Sequence, residues 1–139
     1  MKVLLDTNVL SEVRRPAPDP KVLAWLDELD EDRAFISVAS IAELRRGAAL
    51  MAAGRRRDAL AAWLTEELPA RFAGRIVPID PAIAERWGDL LAQARLGGLA
   101  LSVMDGFFAA TALARGLVLA TRNTKDFVSL GVPLFDPWS

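Results

Sequence analysis

Short apolar runs rich in β-formers alternate along this chain with longer stretches of helical periodicity, and few folds accommodate that alternation. Lys2 to Leu5, Ala34 to Ser37, Arg75 to Ile79, Leu117 to Ala120 and Val132 to Phe135 read as strands. Between them, Val9 to Arg15 reads as a helix ended before Pro16, and Pro16 to Pro20 as a loop. Val22, Leu23, Leu26 and Leu29 share one helical face. Val38 to Met51 reads as a helix ended by Gly54, and Ala59 to Leu68 as one stopped by Pro69. Asp80-Pro81 is an N-cap followed by a first helical position, opening a helix with the stripe Ile83, Trp87, Leu90, Leu91, Ala94. Met104 to Ala114 is nearly all apolar, a helix buried on most sides and ended by Gly116, and Thr124 to Ser129 is a short helix. The expectation is an α/β fold, a small mostly parallel sheet of 4–5 strands flanked by helices, forming one domain over residues 1–139.

Acidic residues fall where this scheme turns from strand or loop into helix. Asp6 ends the first apolar run, and Ser40-Ile-Ala-Glu43, Ser102-Val-Met-Asp105 and Asn123-Thr-Lys-Asp126 each place an acid three positions after a small polar residue. That spacing is also the grammar of a capping box, which would make the acids partners of helix N-termini. In an open parallel sheet, however, ligands bind beyond the carboxyl ends of the strands, where all four acids fall. Two carboxylates ~5 Å apart repel by about 3 kcal/mol at an effective dielectric near 20. A converging set must therefore take up protons or hold a cation.

Composition narrows the chemistry. The chain has no cysteine and no histidine, which removes thiolate and imidazole metal ligands and the Ser-His-Asp and Cys-His nucleophilic systems. Oxygen-only donors select Mg²⁺ or Mn²⁺ over zinc. The net charge of −1 leaves any polyanion site to a local basic patch. Hydrophobic content of 53% with 25% charged residues argues against disorder. No apolar run reaches the roughly 18 residues of a membrane span or forms a signal-peptide core, so a cytoplasmic protein without a membrane role is expected.

Thr7, Asn8, Thr121 and Asn123 are uncharged hydrogen-bonders at the same edge, suited to orient carboxylates or a phosphate, or equally to turn and cap chemistry. Arg45, Arg46, Arg122 and Lys125 lie near the acids in sequence and are candidates to hold a phosphate backbone. Arg55 to Arg57 read as a solvated face. Trp25, Trp63 and Trp87 read as core or interface, and Trp138 carries no signal.

The stretch Leu4-Leu5-Asp6-Thr7-Asn8-Val9-Leu10-Ser11-Glu12 resembles the opening motif of PIN domains. Ser40-Ile-Ala-Glu43-Leu44, Met104-Asp105-Gly-Phe-Phe-Ala-Ala and Thr121-Arg-Asn-Thr-Lys-Asp126-Phe127 extend the likeness over essentially the whole chain. Their order and spacing look like VapC-type ribonuclease toxins of bacterial toxin–antitoxin systems, in particular the FitB-like branch. The resemblance implies that Asp6, Glu43, Asp105 and Asp126 are the catalytic and metal-site acids. It also implies Mg²⁺ or Mn²⁺, an RNA substrate, a homodimer and a small VapB-like antitoxin with which the toxin forms a hetero-oligomer. Many relatives carry a further acid where this chain has Asn123, which ranks the ligands Asp6 and Asp105 first, then Glu43, then Asp126.

The expected activity is endoribonucleolytic: metal-held water attacks a phosphodiester in line and leaves a 5′-phosphate and a 3′-hydroxyl. Two competitors stand beside it. A haloacid-dehalogenase-like phosphatase would also place an aspartate after its first strand, but it needs a second acid two residues on, where this chain has Asn8. A non-catalytic RNA-binding or regulatory PIN-like module would share the motifs without turnover.

Overall fold

The computed structural model describes residues 1–139. Its centre is a five-stranded, all-parallel sheet in the order β3-β2-β1-β4-β5. The strands are β1 (Val3–Leu5), β2 (Ala34–Ser37), β3 (Ile76–Val77), β4 (Val118–Ala120) and β5 (Leu134–Phe135). Their shortness follows from the sequence, since each apolar run is three to five residues long before a polar or capping residue ends it.

Alternation within β1 divides the interior into two cores. Val3 and Leu5 face one side, with Val9, Leu10, Val22, Ile36, Leu64 and Leu68. Leu4 faces the other, with Ile83, Leu90, Phe108, Leu119 and Phe127. A period of two sends successive side chains to opposite faces, so a strand this apolar must be covered twice. The first layer of helices comprises α1 (Thr7–Glu12), α2 (Pro20–Glu28), most of α3 (Val38–Leu50) and the rod formed by α4 (Arg55–Ala62), a π-helical turn (Trp63–Glu67) and α5 (Leu68–Arg71). The second layer is α6 (Pro81–Leu96) and α7 (Val103–Arg115). None of these helices is long and apolar enough to cross a membrane.

The helix starts obey their capping residues. Asp80 accepts from the Ile83 N–H at 2.9 Å and Pro81 takes the first helical position, as expected. Gly116 closes α7 at φ 65°, in the left-handed region that glycine enters at least cost.

Two breaks are placed differently from the sequence reading. Gly54 does not end α3, which stops at Leu50; it precedes α4 instead. Pro69 does not stop its helix. The π turn lets the Leu68 N–H reach the Trp63 carbonyl, and proline follows one residue later inside a new helical turn. A proline in that first turn removes a donor that has no intrahelical partner to lose. The short helix foreseen over Thr124 to Ser129 is two 3₁₀ turns, Thr124–Asp126 and Val128–Leu130, on either side of the fully buried Phe127.

Candidate active site

The strand order places a topological switch point between β1 and β4: the chain winds outward to β2 and β3 on one side and to β4 and β5 on the other. At such a point two loops part and leave a crevice at the carboxyl end of the sheet. The residues that follow these two strands are Asp6 and Thr121. The Asp6 N–H extends the ladder to the Ala120 carbonyl at 2.9 Å, and the Thr121 hydroxyl donates to Asp6 Oδ2 at 2.7 Å. Asp6 is only 6% exposed, and Thr121 is fully buried.

Two hydroxyl relays organise the edge. Thr121 has one proton and gives it to Asp6, so its lone pairs accept from the Asn8 amide at 3.4 Å and from the Asn123 backbone N–H at 3.1 Å. At the start of α1, Thr7 donates to Glu43 Oε1 on α3, the helix that follows the neighbouring strand β2, at 2.6 Å. Its contact with Ser40 Oγ at 2.9 Å must then be one in which Ser40 donates. Thr7, Asn8 and Thr121 thus join the network around the two carboxylates through their side chains, whereas Asn123 joins only through its backbone N–H. Ser40 joins them and was read from the sequence only as a possible cap.

The capping question separates the acids. Ser37, not Ser40, caps α3, accepting from the Ala39 N–H at 3.0 Å, so Glu43 lies deeper in the helix and is held by Thr7 rather than by the helix terminus. Ser102 is a true cap, accepting from the Asp105 N–H at 3.1 Å. Asp105 is therefore a first-turn residue of α7, and it also feels the charges of Glu43 and Asp126. Its position is pinned further by the Trp87 indole, which donates to the Val103 carbonyl at 3.1 Å while stacking on Phe107 at 5.0 Å. Gly106 next to it packs closely: a Cβ there would lie 2.4 Å from Leu91 Cδ1 and 3.0 Å from the Trp87 ring, so both side chains would have to shift. Asn123 makes no side-chain cap for the turn that carries Asp126, and Asp126 stands exposed.

Electrostatics tie the acids together. Burial pushes the Asp6 carboxyl up to about 6, against hydrogen bonds from Thr121 and the Thr7 N–H that stabilise its charge, and the charges of Asp105 and Glu43 add to the rise. Burial also raises Asp105, opposed by the Ser102 hydrogen bond and reinforced by the charges of Asp126 and Glu43. All four acids are thus within electrostatic reach at one sheet edge, although no three of them stand close enough to hold a single ion in this geometry. A donor set made only of oxygens, with a buried carboxylate facing two like charges, fits a hard divalent cation.

Among the basic candidates, Arg45 is engaged by the Thr65 hydroxyl at 2.9 Å, on the π turn. Arg46 and Lys125 are exposed, as is the whole Arg55 to Arg57 run. Arg122 follows Thr121 at the crevice and carries its guanidinium over the Trp138 ring, 5.3 Å from the centroid. Trp25 and Trp63 pack against the first core, as expected. Trp138 also packs there, a role invisible in a terminal residue read alone. Glu12, which ends the opening motif and carries no separate signal in the sequence, is a buried carboxylate, 3% exposed, one turn beyond Asn8 on α1.

The PIN domain family matches residues 3–132. The chain belongs to the PIN-domain family. It is 40% identical to the VapC ribonuclease Y4jK of Sinorhizobium fredii, over 98% of this chain and 97% of that protein. It is likewise 40% identical to the toxin FitB of Neisseria gonorrhoeae, over 98% of both chains. The crystal structure of FitAcB from the same organism superimposes with a TM-score of 0.91 at 40% identity, again over 98% of each chain.

Proposed function

We propose that this chain is an endoribonuclease acting as the toxin of a toxin–antitoxin pair, with Mg²⁺ or Mn²⁺ at the carboxylates. The observation that carries the reading is Asp6: a carboxylate buried at the switch point, held by Thr121 and facing Asp105 and Glu43. A protein keeps like charges together in a crevice at a cost that a bound cation relieves. Similarity to a VapC ribonuclease and to a toxin supplies the substrate class and the biological role.

Asp6 and Asp105 would be the principal ligands, with Glu43 oriented by the Ser40–Thr7 relay and Asp126 contributing from its exposed turn. A divalent ion held here would supply a water of lowered pKa and a Lewis acid for the phosphoryl group. The chain's own part is to orient the carboxylates and to take the attacking water's proton on one of them. Water oxygen bonds to phosphorus in line, the bond to O3′ breaks, and the products are a 5′-phosphate and a 3′-hydroxyl. Arg122, Arg46 and Lys125 meet the backbone phosphates from the rim, with Arg45 beside them once it leaves Thr65.

A toxin that degrades its host's RNA requires a neutralising partner, and a small VapB-like antitoxin is the partner proposed. Exposed apolar side chains such as Leu96 and Val103 supply surface for a homodimer or for the larger complex with the antitoxin. The protein acts in the cytoplasm, where its substrate is.

The test is direct. Purified protein given RNA and Mg²⁺ should produce fragments that a 5′-phosphate-dependent exonuclease degrades, and Asp105→Asn should lower that rate at least a hundredfold. Fragments bearing 2′,3′-cyclic phosphates would refute the hydrolytic mechanism. The relay gives a finer expectation. Thr7→Val removes the donor to Glu43 and should weaken Mn²⁺ binding by about tenfold, the usual effect of losing a group that orients a ligand. Calorimetric titration reads it, and unchanged affinity would remove Glu43 from the ligand set.

A further inference from the structure

Arg122 lies beside the crevice: its backbone is tied to the acid network, and its side chain is steered by two residues outside that network, Trp138 and Glu12. Its backbone N–H approaches Asn8 Oδ1 at 3.5 Å, and the preceding residue donates to Asp6. Its guanidinium lies over the Trp138 ring at 5.3 Å. The carboxylate of Glu12, buried on α1, is near enough for the two charges to act on each other. Glu12 accepts from the Asp19 N–H at 2.7 Å and from Arg15 at 3.1 and 3.3 Å. Its oxygens are thus engaged, and it attracts Arg122 without pairing with it. The three ion pairs of the chain are Arg15–Glu12, Arg71–Glu31 and Arg115–Asp80. Arg122 is in none of them, and its side chain is exposed. A guanidinium fixed in place by a ring and a distant charge, with its donors facing solvent, is prepared for an anion that comes from outside.

Trp138 shows the same design from the other side. It packs on the first core while its indole Nε1 is buried with no hydrogen-bond partner. A buried unpartnered N–H costs free energy, and phenylalanine would pack a ring there without it. What a smaller or aliphatic residue would lack is the aromatic face beneath Arg122.

We propose that Arg122 is a substrate-binding residue that clamps the phosphate neighbouring the scissile one, and that Trp138 is the positioning residue that holds it over the crevice. This rests on the ribonuclease reading above. Among the basic residues near the acids, Arg122 is favoured because Arg45 is engaged by Thr65, whereas Arg122 has a support and free donors.

The experiment measures steady-state cleavage of a fluorescent single-stranded RNA oligonucleotide by the full chain in Mg²⁺ at several salt concentrations. Arg122→Ala should raise KM about tenfold with kcat nearly unchanged, the scale of one charge-assisted hydrogen bond. The slope of log affinity against log salt should fall by ~0.7, one phosphate contact on a single strand. Trp138→Leu, which keeps the apolar packing, should raise KM several-fold in the same way, and Trp138→Phe should restore it. Arg122→Lys should recover the salt slope but only part of KM, because a point charge replaces the fork. The proposal is overturned if Arg122→Ala leaves KM and slope at wild-type values. It is also overturned if Trp138→Leu lowers thermal stability without moving KM, since the ring would then be only structural. If Trp138→Leu fails to fold, Trp138→Phe and the two Arg122 variants still decide. If the wild type itself does not cleave the RNA, the ribonuclease reading fails and not the clamp alone.

Discussion

Asp6→Asn should make the metal-free protein more stable at neutral pH and at the same time abolish RNA cleavage. The Asp6 carboxyl titrates near 6 in the fold, against an ordinary 3.8, chiefly because it is buried. The folded state therefore holds more protons than the unfolded chain between about pH 4 and pH 6. The stability associated with neutral Asp6 is complete below the unfolded value and is lost as pH rises through the folded one. At pH 7 the loss is about 2–3 kcal/mol, from ~2 pK units at about 1.4 kcal/mol each. Asparagine keeps the acceptor for the Thr121 hydroxyl and removes the charge. In EDTA at pH 7 its melting temperature should exceed that of the wild type by roughly 5–10 °C, and the difference should close near pH 4. Calorimetry across that range checks both. Cleavage should fall by about a thousandfold or more if Asp6 is the principal ligand proposed above. A variant less stable than wild type at pH 7 would mean that Asp6 is ionised and satisfied without a cation.

Phe127→Ala should be the most damaging single truncation near the site. Phe127 is fully buried in the second core and lies between the two 3₁₀ turns that carry Asp126 and close the sheet edge. Those turns contain no other buried residue, so the ring is their anchor. Loss of transfer free energy together with the cavity left behind costs about 3–5 kcal/mol. Urea unfolding should show that loss as a lower midpoint with an unchanged slope. Below the transition the variant should also bind Mn²⁺ more weakly, because Asp126 is no longer held. Weakened stability with intact Mn²⁺ affinity would show that Asp126 does not contribute to the ion site.

The parts of the fold legible in the sequence were those decided by local chemistry. The apolar runs at Val3–Leu5 and Ala34–Ser37, the Asp80-Pro81 helix start and the Gly116 stop needed no information from elsewhere in the chain. Pro69 misled because a π turn, set by packing of Leu64 and Leu68 into the core, reorganised the backbone before it. The acids could be named from their place after strands, but not what holds them. Thr7 meets Glu43 across 36 positions, and Thr121 meets Asp6 across 115. Those contacts follow from the order of strands in the sheet, which periodicity does not encode. The same holds for Glu12 and Trp138, whose nearness to Arg122 arises only in the folded chain. The polar-residue-plus-three grammar proved mixed: a real cap at Ser102, none at Asn123, and at Ser40 a relay to Thr7 instead.

The central claim is that Asp6 and its acidic neighbours are one cation site. Isothermal titration of Mn²⁺ into purified wild type and into Asp6→Asn, in the absence of RNA and antitoxin, tests it most directly. The account predicts saturable binding to the wild type and its loss, by at least tenfold in affinity, in the variant that folds more stably. Mn²⁺ binding of equal strength in the two proteins would contradict it.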